Sequence, residues 1–353
     1  MSFSLARLER IYLQPQTEFG TLPNTGGIAT VGNANACRFI KATLKHKTNT
    51  ITREDKTGTR TKTAGTKGRG NGEWSVEMSL APNGVPAIKP DCAVILEALC
   101  GQAGQVTTAT AANGFPTGTG VAEGAQAVKY ALADSVSAFA FWDFRQPSTI
   151  NQRVGVACVV NRATFNVGQD SAATWSADGE SMGMLTSNQF ATADAVLKAA
   201  LTAFPAEPSA PVTNGDIIPG FVGKAMVGGN TLVTLRNATV EVQSGNVTVK
   251  DTFGAFLPTE AEGDGRTVTH KISVYEDDSA AFAALEAAAT AKTPLEVIYV
   301  IGTVPGSMVV IHSKGVQLDE PDREEERRFS ANFNGTASGS SLSARDEITI
   351  WFV

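Results

Sequence analysis

Histidine is scarce in this chain, three in 353 residues. His46, His270 and His312 lie on three separate strand-like segments without ligand spacing, so they read as ordinary strand positions rather than a metal centre. The four cysteines, Cys37, Cys92, Cys100 and Cys158, form no CxxC pair. In a reducing compartment they read as small buried thiols, not disulfides or metal ligands. No apolar run approaches the roughly 18 residues of a membrane-spanning helix. Residues 1–7 lack the long apolar stretch of a signal peptide, so the chain is expected to stay soluble in the cytoplasm where it is made. Neither a GxSxG elbow nor a GxxxxGK[ST] loop occurs. The Gly-rich stretches 68–72 and 118–120 do not join a strand to a helix as phosphate-binding turns do. These absences argue against an enzyme, and no cofactor or metal is expected.

Charged residues make up only 18% of the chain, whereas glycine numbers 34 and the apolar fraction is 42%. With abundant Thr and Ala, that mixture suits many short strands joined by turns. The length suggests two domains of ordinary size. The net charge of −6 is unevenly spread. Residues 41–69 hold nine Lys or Arg against Glu54 and Asp55, a local +7. Residues 241–286 hold nine Asp or Glu against Lys250, Arg266 and Lys271, a local −6. One basic loop on an acidic body is not the broad basic face of a general DNA binder.

A weak internal repeat organises the rest. Each copy opens on a strand, 39–45 and 235–241, with Ala42-Thr43 matching Ala238-Thr239 at an offset of 196 (42 to 238). A long loop leads to a second strand, 74–80 and 270–275; Trp74, Val76, Met78 and Leu80 alternate with polar residues, the period of a half-buried strand. A short helix follows, 91–101 and 278–286, the first bounded by Pro90-Asp91 and Gly101, the second capped by Asp278 or Ser279. Further strands close each copy: 138–142, 154–160 and 173–177, then 295–301, 308–312 and 328–333, with Trp175 matched to Phe329. A short helix is expected over 194–204, before a Pro-rich linker, and Gly228-Gly229-Asn230 reads as a hairpin turn. The expected organisation is an N-terminal arm at 1–30, a first domain at 31–204, a linker at 205–215 and a second domain at 216–353.

This plan resembles the tail tube proteins of siphophages. The segment Leu13-Gln14-Pro15-Gln16-Thr17-Glu18-Phe19-Gly20-Thr21-Leu22-Pro23 resembles their opening, and Gly58-Thr59-Arg60 in a basic loop, Glu73-Trp74-Ser75-Val76, and Pro90-Asp91 with Leu96-Glu97-Ala98-Leu99-Cys100-Gly101 resemble family features that follow. Pro219-Gly220-Phe221-Val222-Gly223-Lys224-Ala225-Met226-Val227-Gly228-Gly229 resembles the strand and turn that open a second domain in such proteins. The resemblance implies a mainly β chain: two tandem tail-tube-type β-sandwich or barrel domains, each with one short α-helix and a long inter-strand loop. It implies a non-enzymatic virion protein, assembled in the host cytoplasm, whose partners are itself, the tape measure protein, and the tail terminator and tail-tip proteins. Double-stranded DNA would pass through the lumen without sequence-specific binding, and no membrane is involved. Two copies per chain imply a trimeric ring with pseudo-sixfold symmetry; a hexamer in which one copy decorates the outside is the alternative. A tail-tip or baseplate-hub ring protein of the same fold is a second reading, and a β-rich adhesion or carbohydrate-binding module a third.

The family also implies that the long loops make inter-subunit contacts. The basic side is Arg53, Lys56, Arg60, Lys62, Lys67 and Arg69; the candidate acidic counterpart is Asp251, Glu260, Glu262 and Asp264. Residues 319–328 are a mixed charge run, expected to be a solvated turn.

Overall fold

The computed structural model describes residues 9–52, 65–145, 151–168, 172–193, 195–198, 201–208, 217–325, 328–341 and 343–353. The first half contains β1 (Glu9–Pro15), a small hairpin of β2 (Asn24–Thr25) and β3 (Ile28–Ala29), β4 (Ala36–Cys37), β5 (Lys41–Ile51) and β6 (Thr66–Ser79). Then come α1 (Ala93–Cys100), β7 (Gln105–Thr108), β8 (Gln126–Ala131), β9 (Phe139–Arg145), β10 (Arg153–Val167), β11 (Thr174–Ser181), β12 (Gly183–Thr186) and α2 (Ala195–Lys198). The second half contains β13 (Gly223–Val227), β14 (Asn230–Leu232), β15 (Leu235–Gln243), β16 (Asn246–Thr248), β17 (Ala261–Gly263) and β18 (Thr267–Tyr275). It ends with α3 (Ala280–Ala291), β19 (Leu295–Ile301), β20 (Val309–Leu318), β21 (Asp322–Glu325), β22 (Phe329–Ala337) and β23 (Thr349–Phe352). The chain is mainly β, as expected, with large antiparallel sheets and three short α-helices among the described residues.

The strands pair in the same order in both halves. In the first, β4, β1, β9, β10 and β12 are successive neighbours, and β5, β6, β11 and β10 form a second row. In the second, β14, β13, β19, β20 and β23 repeat the first row, and β15, β18, β22 and β20–β21 the second. Register repeats as well: Ala42 faces Val76, and 196 positions on Ala238 faces Ile272. Even the irregularities recur, one between Gly155 and Cys158 against β9 and its counterpart between Leu295 and Val297.

β10 changes sheet along its length. Arg153 to Cys158 pairs with β9, Arg153 to Val156 also with β12, and Arg162 to Val167 lies between β11 and β15. The register shift between Val160 and Arg162 is the bulge that lets one strand turn out of one sheet into another. Its far end joins the halves: Phe165 faces Val240 across β10 and β15. One continuous sheet therefore runs β5, β6, β11, β10, β15, β18, β22, β21, with four strands from each half.

The alternating segments bury one side. Trp74, Val76 and Met78 are buried, while Ser75 and Glu77 are exposed and Glu73 is half-buried. Their apolar side chains join those of α1, α3, β9, β11, β18 and β22 in one core shared by both halves. Phe165 and Trp175 stack within it, centroids 5.2 Å apart and planes 4° from parallel. The halves also interlock at the outer sheet. β8 pairs with β23, and Phe115 of the first half packs edge-on against Trp351 at 5.0 Å. The first half's 105–131 segment thus covers an apolar face of the second.

Several expectations are corrected. The 194–204 helix is a single turn, Ala195–Lys198, among the described residues. The 319–328 run contains a strand, β21, because its backbone pairs along β22. Ala331, not Phe329, takes the place of Trp175: Ala331 faces Val274 as Trp175 faces Met78. The slip of two residues keeps side chains on the same face, which is why sequence matching does not detect it. Asp91 does not cap α1; its carboxylate accepts from the backbone and guanidinium of Arg38, at 3.1 and 2.7 Å. α3 extends to Ala291, with Ser279 as its N-cap, Oγ accepting from the Phe282 amide at 3.2 Å. Gly101 ends α1 at φ 74°, where an added Cβ would strike the Ser135 carbonyl.

Phe165→Ala opens a cavity where the halves meet, and is expected to cost about 3–5 kcal/mol. Urea unfolding followed by Trp fluorescence measures the loss; a change below about 1 kcal/mol would show that this junction adds little to the folded state.

Candidate assembly surface

The other face of the eight-stranded sheet is polar from end to end. It presents Thr43, Ser75, Ser176, Thr164, Thr239, Thr269 and Thr336, each exposed or half-buried; Thr43 faces Ser75, Ser176 faces Thr164, and Thr269 faces Thr336. Charges of both signs are mixed along it: Lys41, Lys45, Lys47, Arg162 and Lys271 among Glu73, Glu77, Asp178, Glu180 and Glu241. Lys41 faces Glu77, and Arg162 faces and binds Asp178 at 3.0 Å. Lys47 reaches Glu73 at 2.9 Å. Neither sign dominates, and no apolar stripe invites a further layer of core.

The ends of this sheet differ from its middle. Among the described residues β5 pairs only with β6, and β21 only with β22. A strand with one neighbour leaves a row of amides and carbonyls without a ladder partner. β5 carries Lys41, Lys45 and Lys47 along its exposed face; β21 and the turn before it carry Asp319, Glu320, Asp322 and Glu324. Lys45 and Asp322 have no ion-pair partner among the described residues, although Lys45 faces Glu73.

The expected contact residues are placed as follows. Arg53, Lys56, Arg60 and Lys62 lie outside the described residues. Lys67 and Arg69, at the start of β6, meet the second-half loop of their own chain. The Lys67 ammonium sits 4.7 Å over the Phe256 ring, and Arg69 donates to the carbonyls of Lys250 and, at 2.9 Å, Thr252. The Gly70 amide donates to the Phe256 carbonyl at 3.2 Å. These contacts use carbonyls and a ring; Asp251, Glu260, Glu262 and Asp264 are exposed and pair with no cation among the described residues. Between them Phe253 stands fully exposed, 101% of its reference surface.

The loop is anchored by Glu180, which sequence reading did not single out. Its carboxylate accepts from the Thr248 amide at 3.1 Å and hydroxyl at 2.7 Å, and pairs with Lys250. Burial alone would raise its pKa, but the hydrogen bonds from Lys250 and Thr248 outweigh it and hold the carboxyl below its ordinary value. The only sequence signal was that Lys250 is one of three cations in the acidic stretch 241–286.

The histidines do not converge. His270 is buried, its Nε2 3.0 Å from Ser313 Oγ and its ring stacked on Tyr299. His312 lies 2.8 Å from Glu296, and His46 is at the surface of β5. The four cysteines are buried and free, and burial raises their thiols, that of Cys100 to about 12. Among the described residues no group of three or more His, Cys, Asp or Glu could hold a metal, and no helix is long and apolar enough to cross a membrane.

A mainly β chain with a wide polar sheet face and unfilled strand edges has the make-up of a structural component that associates with itself. A family model described as phage tail tube protein matches residues 7–337, and the chain belongs to that family. Membership gives it a structural role in the tail of a phage particle. No curated protein matches the chain.

Burial pushes the His270 pKa down to about 4, so the folded chain holds this ring neutral where the unfolded chain would protonate it. Its contribution is complete above the unfolded value of roughly 6.5 and declines as pH falls towards the folded value. His270→Phe is expected to flatten stability between about pH 6.5 and 4, read from thermal midpoints across that range. An unchanged pH slope would show that another group carries the acid sensitivity.

Proposed function

We propose that this chain is the main structural subunit of a long-tailed phage's tail tube, and that three chains form each ring. The rings stack into the conduit for genome ejection. Residues 31–204 and 216–353 are read as two tandem tail tube domains, each occupying one of six equivalent places; the matching pairing order and register of the halves support this. The observation that carries the reading is the eight-stranded sheet whose two end strands each have one neighbour among the described residues.

Three such sheets joined edge to edge bring about 24 strands; at about 4.8 Å spacing and a tilt near 45° the wall is on the order of 50 Å across and the lumen about 40 Å. The polar face turns inwards in this arrangement. Its mixed charges suit DNA in transit, because a basic wall would hold phosphates and arrest movement. The tape measure protein and the tail terminator and tail-tip proteins are the further partners this role implies. The loops complete the assembly: Arg53, Lys56, Arg60 and Lys62 dock on a neighbouring subunit whose Asp251, Glu260, Glu262 and Asp264 supply the opposite charge. Lys67 and Arg69 hold the stem of that loop in place. Such pairing sets register and speeds encounter more than it adds affinity.

Electron microscopy of the purified protein tests the role directly. Long tubes are expected, with six similar lobes around the axis and three chains per layer by mass. Isolated rings that never stack would favour a hub protein, six chains per layer would replace the trimer, and a solitary molecule at every concentration would refute the role. Neutralising Arg53, Lys56, Arg60 and Lys62 together should slow tube formation and reduce its dependence on salt, measured by light scattering. Unchanged kinetics would remove the loop from the contact.

A further inference from the structure

The seam between the two halves is a template for the seam between chains. Inside the chain, β10 and β15 pair so that Phe165 faces Val240, Thr164 faces Glu241 and Arg162 faces Gln243. The counterpart of β15 is β5, because Val240 faces His270 as Leu44 faces Trp74, 196 positions earlier. The counterpart of this part of β10 is β21 and the turn before it, because Arg323 faces Ala331 as Phe165 faces Trp175. Both of these counterparts lie at the unfilled ends of the sheet.

We propose that the β21 edge of one chain pairs antiparallel with β5 of a second copy in the register of the internal seam, placing Asp322 opposite Lys45 and Glu320 opposite Lys47. The inference rests on the ring reading above and specifies its interface. Carrying the internal register across puts Arg323 opposite Leu44, then Asp322 opposite Lys45, and two residues further Glu320 opposite Lys47. These positions correspond to Thr164–Glu241 and Arg162–Gln243 in the internal seam. There the Ser244 amide donates to the Asn161 carbonyl at 2.8 Å, which makes Asn161–Ser244 a hydrogen-bonded pair and Arg162–Gln243 a non-hydrogen-bonded one. Both ion pairs therefore occupy the sites where facing side chains approach most closely.

Charge also dictates the direction of assembly. β5 against another β5 would set lysines against lysines, and β21 against β21 would set carboxylates against carboxylates; both are disfavoured. Only the head-to-tail match is attractive, and a head-to-tail contact closes into a ring when its rotation allows. Pro321 stands where Ala163 stands in the internal seam. It removes one donor from the exposed edge, a common guard on free strands. The seam between chains therefore leans more on its ion pairs than the internal one does, and salt weakens it more.

A chain carrying Lys45→Cys and Asp322→Cys tests the register. The native cysteines are buried, so oxidation of assembled protein joins only the new pair. Covalent multimers ending at a closed ring are expected on non-reducing gels. Lys45→Cys with Glu320→Cys, two residues out of register, should give at least roughly tenfold less product. Tubes that form while the shifted pair cross-links better, or while neither pair does, would overturn the register and leave the tube role standing. A wild-type chain that forms neither rings nor tubes would remove both. Charge reversal gives an independent arm. Lys45→Glu with Lys47→Glu should raise the concentration for half-assembly by roughly tenfold, and adding Glu320→Lys with Asp322→Lys should restore it. Thermal unfolding of each variant separates lost assembly from lost folding; variants that fold and assemble like wild type would refute the ion pairs.

Discussion

A β-strand fills its hydrogen-bond ladder only when both edges are paired, and among the described residues every strand of the main sheet has two neighbours except the two at its ends. Among the described residues six of the eight strands in that sheet have two neighbours, and β5 and β21 have one. The apolar side chains on the sheet's inner face are committed to the shared core, and the opposite face is polar. What the molecule offers to others is hydrogen-bonding edge and charge. That is the basis for reading a tube component as a piece of an unfinished cylinder.

The two halves are not beads on a string. The β10–β15 seam makes one sheet of two rows, while β8 on β23 and Phe115 on Trp351 tie the opposite side. An ion pair between Arg10 and Glu207 at 3.0 Å fastens the start of the inter-half segment to β1. Such cross-bracing fixes the relative position of the two rows. The proposed ring needs this, because an error in the angle between rows would be multiplied around the circumference.

Much of the fold was legible from residue patterns. The period of two in Trp74, Val76 and Met78, and the offset of 196 linking Ala42 to Ala238, identified paired strands that the structure aligns in the same register. Asp278 or Ser279, of which the structure uses Ser279, and Gly101 marked helix ends through local backbone chemistry that needs no tertiary context. The strands outside the obvious pattern were missed for physical reasons. β21 is built of Asp, Arg and Glu, with low intrinsic strand preference, and exists because β22 lies beside it. β1 and β8 are stabilised by partners more than a hundred residues away. Glu180 looked like any strand carboxylate until the fold brought Thr248 and Lys250 to it.

Sequence alone determined the secondary-structure class, the period of the alternating strands and the spread of charge, because these follow from side-chain periodicity and composition along the chain. Tertiary structure alone decided which strands are left at the ends of the sheet, and that Lys67 and Arg69 settle on their own chain's carbonyls and Phe256. Edge and partner are properties of neighbours in space, and the spacing of residues along a polypeptide does not encode which strand will have none.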